Sequence, residues 1–213
     1  MEENEDDDKK EKIDYEFKII TLGNSGTGKT SIIKSFVDDV FDEYQLVTLG
    51  NSFSFKILKI NGINIKLNFI DTSGQEKFRS LSLSYFRHVD VVLFVFDLNE
   101  PNSFESVQYW IDFFNENNSG KNIKSKYLVG NKDDLVQKVD QDLIDELARK
   151  NNILFFSTSA KSKNNIDLLF NYIRNELYDY IQKKPKNQND NNTIKANEIS
   201  KIKVNQNGKK CCG

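Results

Sequence analysis

The stretch GNSGTGKT at residues 23–30 decides the fold expected for this chain. It matches the pattern G-x-x-x-x-G-K-[ST], and it stands between an apolar run at residues 17–22, which predicts a strand, and a helical pattern that begins near Lys29. In that context the glycines allow backbone N–H groups to curl around phosphate oxygens, and the helix N-terminus adds partial positive charge. We expect Lys29 to reach the β- and γ-phosphates of a nucleoside triphosphate and the Thr30 hydroxyl to bind Mg²⁺. The expected phosphate-site residues are Gly23, Asn24, Ser25, Gly26, Thr27, Gly28, Lys29, Thr30 and Ser31.

Strand and helix patterns alternate along the rest of the chain. Further strands are predicted at residues 53–60, 63–70, 89–96, 126–130 and 153–157, and further helices from an N-cap at Ser103 to about Asn117 and over residues 166–181. The dipeptide Asn61-Gly62 predicts a hairpin, because both residues tolerate positive φ. The pattern predicts an α/β fold with a six-stranded, mostly parallel sheet, one antiparallel edge strand and helices on both faces. Together with the phosphate loop, it resembles a P-loop NTPase G domain.

Polar segments that follow two of the later strands indicate which base is bound. Asn131, Lys132 and Asp134 fit N-K-x-D, and the Asp134 carboxylate can accept hydrogen bonds from guanine N1–H and the exocyclic amino group, both of which adenine lacks. After the next strand, the Ala160 N–H can donate to guanine O6, between Ser159 and a Lys161 whose stem can lie along the ring. Either segment alone is also a good surface turn. Their common position beyond strand ends predicts one guanine site.

The segment DTSGQE at residues 71–76 follows the second strand of the hairpin. Asp71 can hold Mg²⁺ through water, the Gly74 N–H can approach the γ-phosphate, and Gln75 can orient an attacking water. A turn rich in Asp and Ser is the alternative interpretation.

Composition excludes several other classes of protein. The chain has 213 residues, a net charge of -2 and 38% hydrophobic residues, so there is no global charge that would favour nucleic-acid binding. No apolar stretch approaches the roughly 18–20 residues of a membrane span, and the acidic start lacks the features of a signal peptide, so we expect a cytosolic protein. We expect an acidic, disordered extension at residues 1–14, the G domain at 15–183, and a flexible Asn- and Lys-rich tail at 184–213.

These motifs, in this order, resemble the Ras superfamily of small GTPases over roughly residues 17–181. The resemblance implies GTP and GDP as ligands, Thr30, Thr48 and Asp71 as Mg²⁺ ligands, and catalytic roles for Lys29, Thr48, Gly74 and Gln75. It places Phe41 across the edge of the guanine, although core packing is an equal alternative for that side chain.

Within the superfamily the chain resembles the Rab family. Thr48-Leu49-Gly50, FRSL at residues 78–81 and SYFR at residues 84–87 resemble Rab segments, and Cys211-Cys212-Gly213 resembles the double-cysteine ends that receive geranylgeranyl groups. The resemblance implies a monomeric switch of vesicle traffic on the cytoplasmic face of intracellular membranes, with a cytosolic pool. Its partners would be an exchange factor, a GTPase-activating protein, a GDP-dissociation inhibitor, a prenyltransferase escort and effectors.

The chain departs from the Rab pattern on the surface that effectors contact. Asn51 and Ser52 replace a Val and an acid, Ile70 replaces a Trp, and Ser73 replaces an Ala. Two other functions stay open from the sequence. One is a GTP-binding scaffold with negligible hydrolysis, and the other is a P-loop ATPase or kinase.

Overall fold

A computed structural model describes residues 12–48, 50–73, 83–118 and 123–183. Its strands are β1 (Tyr15–Leu22), β2 (Asn51–Ile60), β3 (Ile63–Thr72), β4 (Val91–Asp97), β5 (Ser125–Asn131) and β6 (Leu154–Ser157). Its α-helices are α1 (Lys29–Val37), α2 (Pro101–Glu105), α3 (Val107–Asn117), α4 (Gln141–Asn151) and α5 (Ile166–Lys183), and a 3₁₀ turn spans Leu83–Phe86.

The six strands form one sheet in the order β2-β3-β1-β4-β5-β6. Every neighbouring pair is parallel except β2 and β3, whose antiparallel register pairs Ile60 with Ile63 across the hairpin. Asn61 and Gly62 adopt φ values of 48° and 82°, as the hairpin prediction requires. The predicted fold class, with β2 as the antiparallel edge strand, is confirmed.

Apolar cores lie on both faces of the sheet. Successive residues of β1 point to opposite faces, so Ile19 packs with α1 and α5 while Ile20 packs with α3 and α4. All seven residues of β4 are buried, because this central strand is covered on both sides.

Three details of the helices differ from the sequence prediction. The predicted single helix from Ser103 to about Asn117 is two helices, α2 and α3, which Ser106 separates. Ser103 is not an N-cap: Glu100 caps α2 by accepting from the Asn102 N–H, and Ser103 is buried with its hydroxyl against the Asp97 N–H at 2.9 Å. Helix α4 was not predicted, because only Ile144 and Ala148 are buried and most of its residues are polar. Its start instead follows from the Asp140 carboxylate, which accepts from the Asp142 N–H at 2.8 Å.

Across the described ranges, none of the helices is both long enough and apolar enough to cross a bilayer.

Candidate nucleotide site

A cavity of about 430 Å³ opens at the edge of the sheet where the parallel strands end. Four parts of the chain line it: the phosphate loop after β1, the base segment after β5, the base segment after β6, and most residues from Phe41 to Thr48. Residues far apart in sequence meet here because parallel strands bring their carboxyl ends to one edge. Of the predicted residues, the cavity lining includes Ser25, Gly26, Gly28, Lys29, Thr30, Ser31, Phe41, Thr48, Asn131, Lys132, Asp134, Ala160 and Lys161.

The phosphate loop lies tightly against the sheet. A Cβ atom on Gly23 would lie 2.0 Å from the Val95 carbonyl oxygen, so only glycine permits this approach. Lys29 is 5% exposed, and its Nζ donates to the carbonyls of Gly23 at 2.9 Å and Asn24 at 2.8 Å. Burial lowers the pKa of Lys29 to about 8, an effect that the neighbouring Asp71 carboxylate opposes. A phosphate anion beside this ammonium would offset its loss of hydration.

Oxygen atoms of Thr30, Thr48 and Asp71 meet next to Lys29. Thr30 Oγ1 lies 2.6 Å from Asp71 Oδ2 and 2.7 Å from Thr48 Oγ1. Burial raises the pKa of Asp71, although the Thr30 hydroxyl that donates to it acts in the opposite direction. Two hydroxyls and one carboxylate are hard oxygen donors, and they fit Mg²⁺, which proteins commonly bind through few side chains together with substrate phosphates.

Within the part of the chain that the structure describes, no group of three or more His, Cys, Asp or Glu side chains has metal-binding geometry. Additional polar side chains surround Asp71, since Thr21 Oγ1 lies 3.3 Å from Oδ1 and Ser52 Oγ lies 3.4 Å from Oδ2.

Asn131 joins the phosphate loop to the base segments. Its Nδ2 donates to the Thr27 carbonyl at 3.0 Å, and its Oδ1 accepts from the Ala160 N–H at 3.2 Å. The Ala160 N–H, predicted to face guanine O6, therefore has Asn131 as its partner in this structure. Ser159 Oγ donates to Asp134 Oδ1 at 2.5 Å, which orients the carboxylate predicted to bind the base.

Two lysines of the base segments form ion pairs with other loops. Lys132, which has a φ of 66°, pairs with Asp97 at 2.7 Å, and Lys161 pairs with Glu43 at 2.9 Å. Phe41 lines the cavity and also packs at the edge of the core under α1 and α5, so the site and core interpretations of this side chain are compatible.

The chain is similar to one family of nucleotide-binding proteins over most of its length. A family model for the Ras family matches residues 18–179. The chain is 37% identical over 166 residues to Ras-related protein Rab-13 of Mesocricetus auratus, covering 77% of this chain and 81% of the relative. It is 34% identical over 196 residues to Ras-related protein Rab-1 of Theileria parva, covering 91% and 88%, and 34% identical over 197 residues to GTP-binding protein ypt1 of Schizosaccharomyces pombe, covering 91% and 92%.

The chain belongs to the Rab family of Ras-superfamily small GTPases. This confirms the resemblance seen in the sequence, and membership implies binding of guanine nucleotides. The ATPase and kinase alternatives lose their support.

The departures of this Rab-family chain fall on the face formed by β2 and β3. Ile70, where the family pattern has Trp, is 3% exposed and packs in the core beside α3. Its partner across the strands, Phe53, is 60% exposed, and the Phe53 ring lies 5.3 Å from that of Tyr85. Ser73 is buried, and its N–H donates to the Gly50 carbonyl at 3.0 Å. Exposed aromatic surface on this face therefore comes from Phe53 and Phe55 of β2 rather than from residue 70.

Several predicted site residues lie outside the described residues. These are Gly74, Gln75, Cys211 and Cys212, together with the FRSL segment at residues 78–81. Their roles stay predictions.

Sequence reasoning missed three residues whose side chains contact residues of this Rab-family site. Trp110 is buried, and its indole Nε1 donates to Asn24 Oδ1 at 2.8 Å, a contact that no sequence pattern indicates. Asp97 and Glu43 were not singled out at all. No local motif marks these side chains, because their partners lie in loops that only the folded sheet brings near.

Proposed function

We propose that the chain is a membrane-anchored molecular switch of vesicle traffic that binds GTP with Mg²⁺ and hydrolyses it. One observation carries this proposal. The Thr30 hydroxyl oxygen lies within hydrogen-bonding distance of both the Thr48 hydroxyl and the Asp71 carboxylate, and the ammonium of Lys29 is buried in the same site. This arrangement supports the proposal of a divalent cation bound next to phosphate.

The proposed mechanism relies on positioning. The N–H groups of the phosphate loop and Lys29 hold the β- and γ-phosphates, Asp134 selects guanine, and Gln75 orients the attacking water. Bound Mg²⁺ would neutralise the charge that develops on the phosphate oxygens. The water oxygen bonds to the γ-phosphorus as the bond to the β,γ-bridging oxygen breaks, which yields GDP and inorganic phosphate.

The segment before Thr48 is suited to a change of conformation. Tyr44 is 87% exposed and Leu46 is 82% exposed, so little buried area holds this segment in place. Thr48 contacts the site through its hydroxyl at Thr30 Oγ1. In the proposed cycle, Thr48 and Gly74 contact the γ-phosphate, and both segments relax once it is lost.

The remaining parts of the proposal concern partners and membrane attachment. Gln45 occupies the position three residues before Thr48, so no cis arginine is available there, and intrinsic hydrolysis would be slow, on the order of 10⁻⁴ s⁻¹. We therefore propose dependence on an activating protein, with an exchange factor, a GDP-dissociation inhibitor and effectors completing the cycle of a monomer that does not bind nucleic acid. Geranylgeranyl groups on Cys211 and Cys212 would anchor the chain, because two lipid chains bind stably where one is marginal.

Base selection tests the guanine site. Asp134→Asn exchanges an acceptor for a donor, so GDP affinity should fall by about 100-fold or more while xanthosine diphosphate, which carries a carbonyl at C2, should bind better. Asp133→Asn is the matched control, because Asp133 Oδ2 accepts from exposed Asn164 at 2.6 Å and should not face the base. Equal affinity of wild-type protein for GDP and ADP by calorimetry would contradict the proposal.

Single-turnover hydrolysis separates the switch from a GTP-binding scaffold. Wild-type protein loaded with GTP and Mg²⁺ should release phosphate faster with a matched activating protein, and Gln75→Leu should abolish that stimulation. Equal, negligible rates for both proteins under these conditions would favour the scaffold.

Membrane attachment has its own test. Replacing both Cys211 and Cys212 with Ser should move the protein from membrane to cytosolic fractions in cells. Persistent membrane attachment of this variant would refute the lipid anchor without affecting the nucleotide site.

A further inference from the structure

Trp110 contacts the phosphate loop through a defined chain of hydrogen bonds. The indole is 3% exposed, and its Nε1 donates to Asn24 Oδ1 at 2.8 Å, while Asn24 Nδ2 donates to Ser106 Oγ at 2.9 Å. Because an indole N–H can only donate, the oxygen of the Asn24 amide must face it and the amino group must face Ser106. The side chain of Asn24 therefore has one favoured orientation.

The backbone of Asn24 in turn binds the ammonium group of Lys29. Its carbonyl oxygen accepts from Lys29 Nζ at 2.8 Å and from Thr27 Oγ1 at 3.0 Å. One residue thus receives a hydrogen bond from α3 on its side chain and holds the buried ammonium with its main chain. Trp110 and Asn24 are 86 positions apart in sequence, so the link is tertiary.

We propose that Trp110 is a positioning residue for the phosphate site, acting through Asn24 on Lys29. The proposal rests on the function proposed above, since it takes the phosphates as the ligand of Lys29. By fixing the amide of Asn24, the indole N–H holds the carbonyl that locates the ammonium before nucleotide arrives. Preorganisation of this kind slows nucleotide release, because a fixed site loses less conformational freedom on binding.

Core packing is the competing explanation for Trp110. The Trp110 ring packs edge-on to that of Phe113, with centroids 6.2 Å apart. Trp110 also belongs to the apolar core between the sheet and α3. Packing needs an aromatic ring of suitable size, whereas positioning needs the N–H. Trp110→Phe keeps an aromatic ring and removes the N–H donor, so a change in this variant points to positioning rather than to packing.

The decisive experiment measures dissociation of a fluorescent GDP analogue from the full chain in the presence of Mg²⁺. Trp110→Phe should release it about fivefold faster, which corresponds to about 1 kcal/mol for one net hydrogen bond. Phe114→Leu is the control, because Phe114 is fully buried in the same helix and core and should alter packing without changing this rate. A Trp110→Phe rate equal to wild type, or no faster than that of Phe114→Leu, would overturn the inference.

A second variant, Ser106→Ala, tests the inference even if Trp110→Phe does not fold. Ser106→Ala removes the acceptor of Asn24 Nδ2 from a partly exposed position and should accelerate release in the same direction by a smaller factor. An unchanged rate in Ser106→Ala, together with a Trp110→Phe protein that fails to fold, would also overturn the inference.

A spectroscopic measurement reports on the hydrogen bond itself. Trp110 is the only tryptophan in the sequence, so the protein has a single indole N–H resonance. That resonance should shift and exchange faster with solvent in Asn24→Ala, whereas it should be unchanged in Asp133→Asn, because the Asp133 carboxylate accepts from Asn164 instead. An indole resonance that does not respond to Asn24→Ala would contradict the proposal.

The two proposals can fail separately. Wild-type protein that does not retain the GDP analogue would overturn the proposed function and this inference with it. Retention by wild type combined with an unaltered rate in Trp110→Phe overturns the inference alone.

Discussion

A Cβ atom on residue 28 would lie 2.2 Å from Asn131 Nδ2, so Gly28 leaves the space that the Asn131 amide fills. That amide donates to the Thr27 carbonyl at 3.0 Å and accepts from the Ala160 N–H at 3.2 Å. Asn131 therefore connects the loops that follow β1, β5 and β6. The phosphate and base parts of the site are held in one arrangement by this contact.

Gly28→Ala should disrupt this arrangement. Gly28 has a φ of 90°, and an alanine there would combine backbone strain with a clash against the amide. Since such strain costs roughly 1–3 kcal/mol, GDP affinity measured by calorimetry should fall by about 5- to 150-fold.

Gly62→Ala provides the matched control for this substitution. Gly62 has a φ of 82°, but a Cβ atom there would meet nothing within 4 Å, and the residue lies in the hairpin turn away from the cavity. The free energy of unfolding should fall by about 1 kcal/mol while GDP affinity stays unchanged. Similar GDP affinities for the two variants would show that the contact with Asn131 is unimportant.

The pair of Lys132 and Asp97 should stabilise the base segment. Asp97 Oδ2 lies 2.7 Å from Lys132 Nζ, while Oδ1 accepts from the Asn99 N–H at 2.8 Å. Asp97→Asn keeps an acceptor for Asn99 and removes the charge that faces Lys132. Because Lys132 holds a left-handed φ of 66°, losing this partner should speed GDP dissociation by about fivefold.

Asp90→Asn is the corresponding control for Asp97→Asn. Asp90 also pairs with a lysine, Lys124, and its Oδ2 accepts from the Lys18 N–H at 2.8 Å, but it precedes β4 and so lies at the opposite edge of the sheet. Its substitution should lower stability without changing GDP release. Equal release from wild type and Asp97→Asn in stopped-flow measurements would contradict the prediction.

Exposed ion pairs connect the last base segment to the segment before Thr48. Lys161 lies 2.9 Å from Glu43, and Lys163 pairs with Asp39. Since salt screens exposed charges, raising the salt concentration should accelerate GDP release modestly.

Combining Glu43→Gln with Asp39→Asn should make release about twofold faster at low salt and should reduce its salt dependence. The measurement is a salt titration of the dissociation rate for both proteins. Identical salt curves would show that these pairs do not restrain nucleotide release.

Because the pKa of Tyr127 is raised in the folded protein, we expect the free energy of unfolding to fall in alkaline solution. Burial, followed by its hydrogen bond to Glu176, raises the pKa of Tyr127 above its ordinary value of 10.0. The unfolded chain therefore releases the phenolic proton at a lower pH than the folded chain does. The stability that this group contributes is complete below about pH 10 and is lost as the pH rises further.

Tyr127→Phe isolates this effect. The variant lacks the titrating proton, so the difference in unfolding free energy between wild type and variant should shrink progressively above about pH 10. Denaturant unfolding across that pH range provides the measurement. A constant difference would mean that the phenol is not protected in the folded state.

Much of the fold followed from local patterns. The apolar run of β4, the Asn61-Gly62 turn and the glycine-rich loop before α1 each depend on neighbours in sequence, and a sequence displays such neighbours directly. Helix α4 was missed because most of its residues are polar, although Ile144, Leu147 and Ala148 recur at the spacing of an amphipathic helix. Only the structure shows which of its residues are buried, namely Ile144 and Ala148.

The sequence by itself determined the chemistry that the site can offer: a phosphate loop, a carboxylate for guanine and oxygen ligands for Mg²⁺, because these depend on residue types at short spacing. Only the tertiary structure decided how those groups are held. The bonds from Trp110 to Asn24, from Lys132 to Asp97 and from Lys161 to Glu43 join residues that are distant in sequence. Such contacts depend on which strand ends share an edge, and this follows from the order of strands in the sheet rather than from any local pattern.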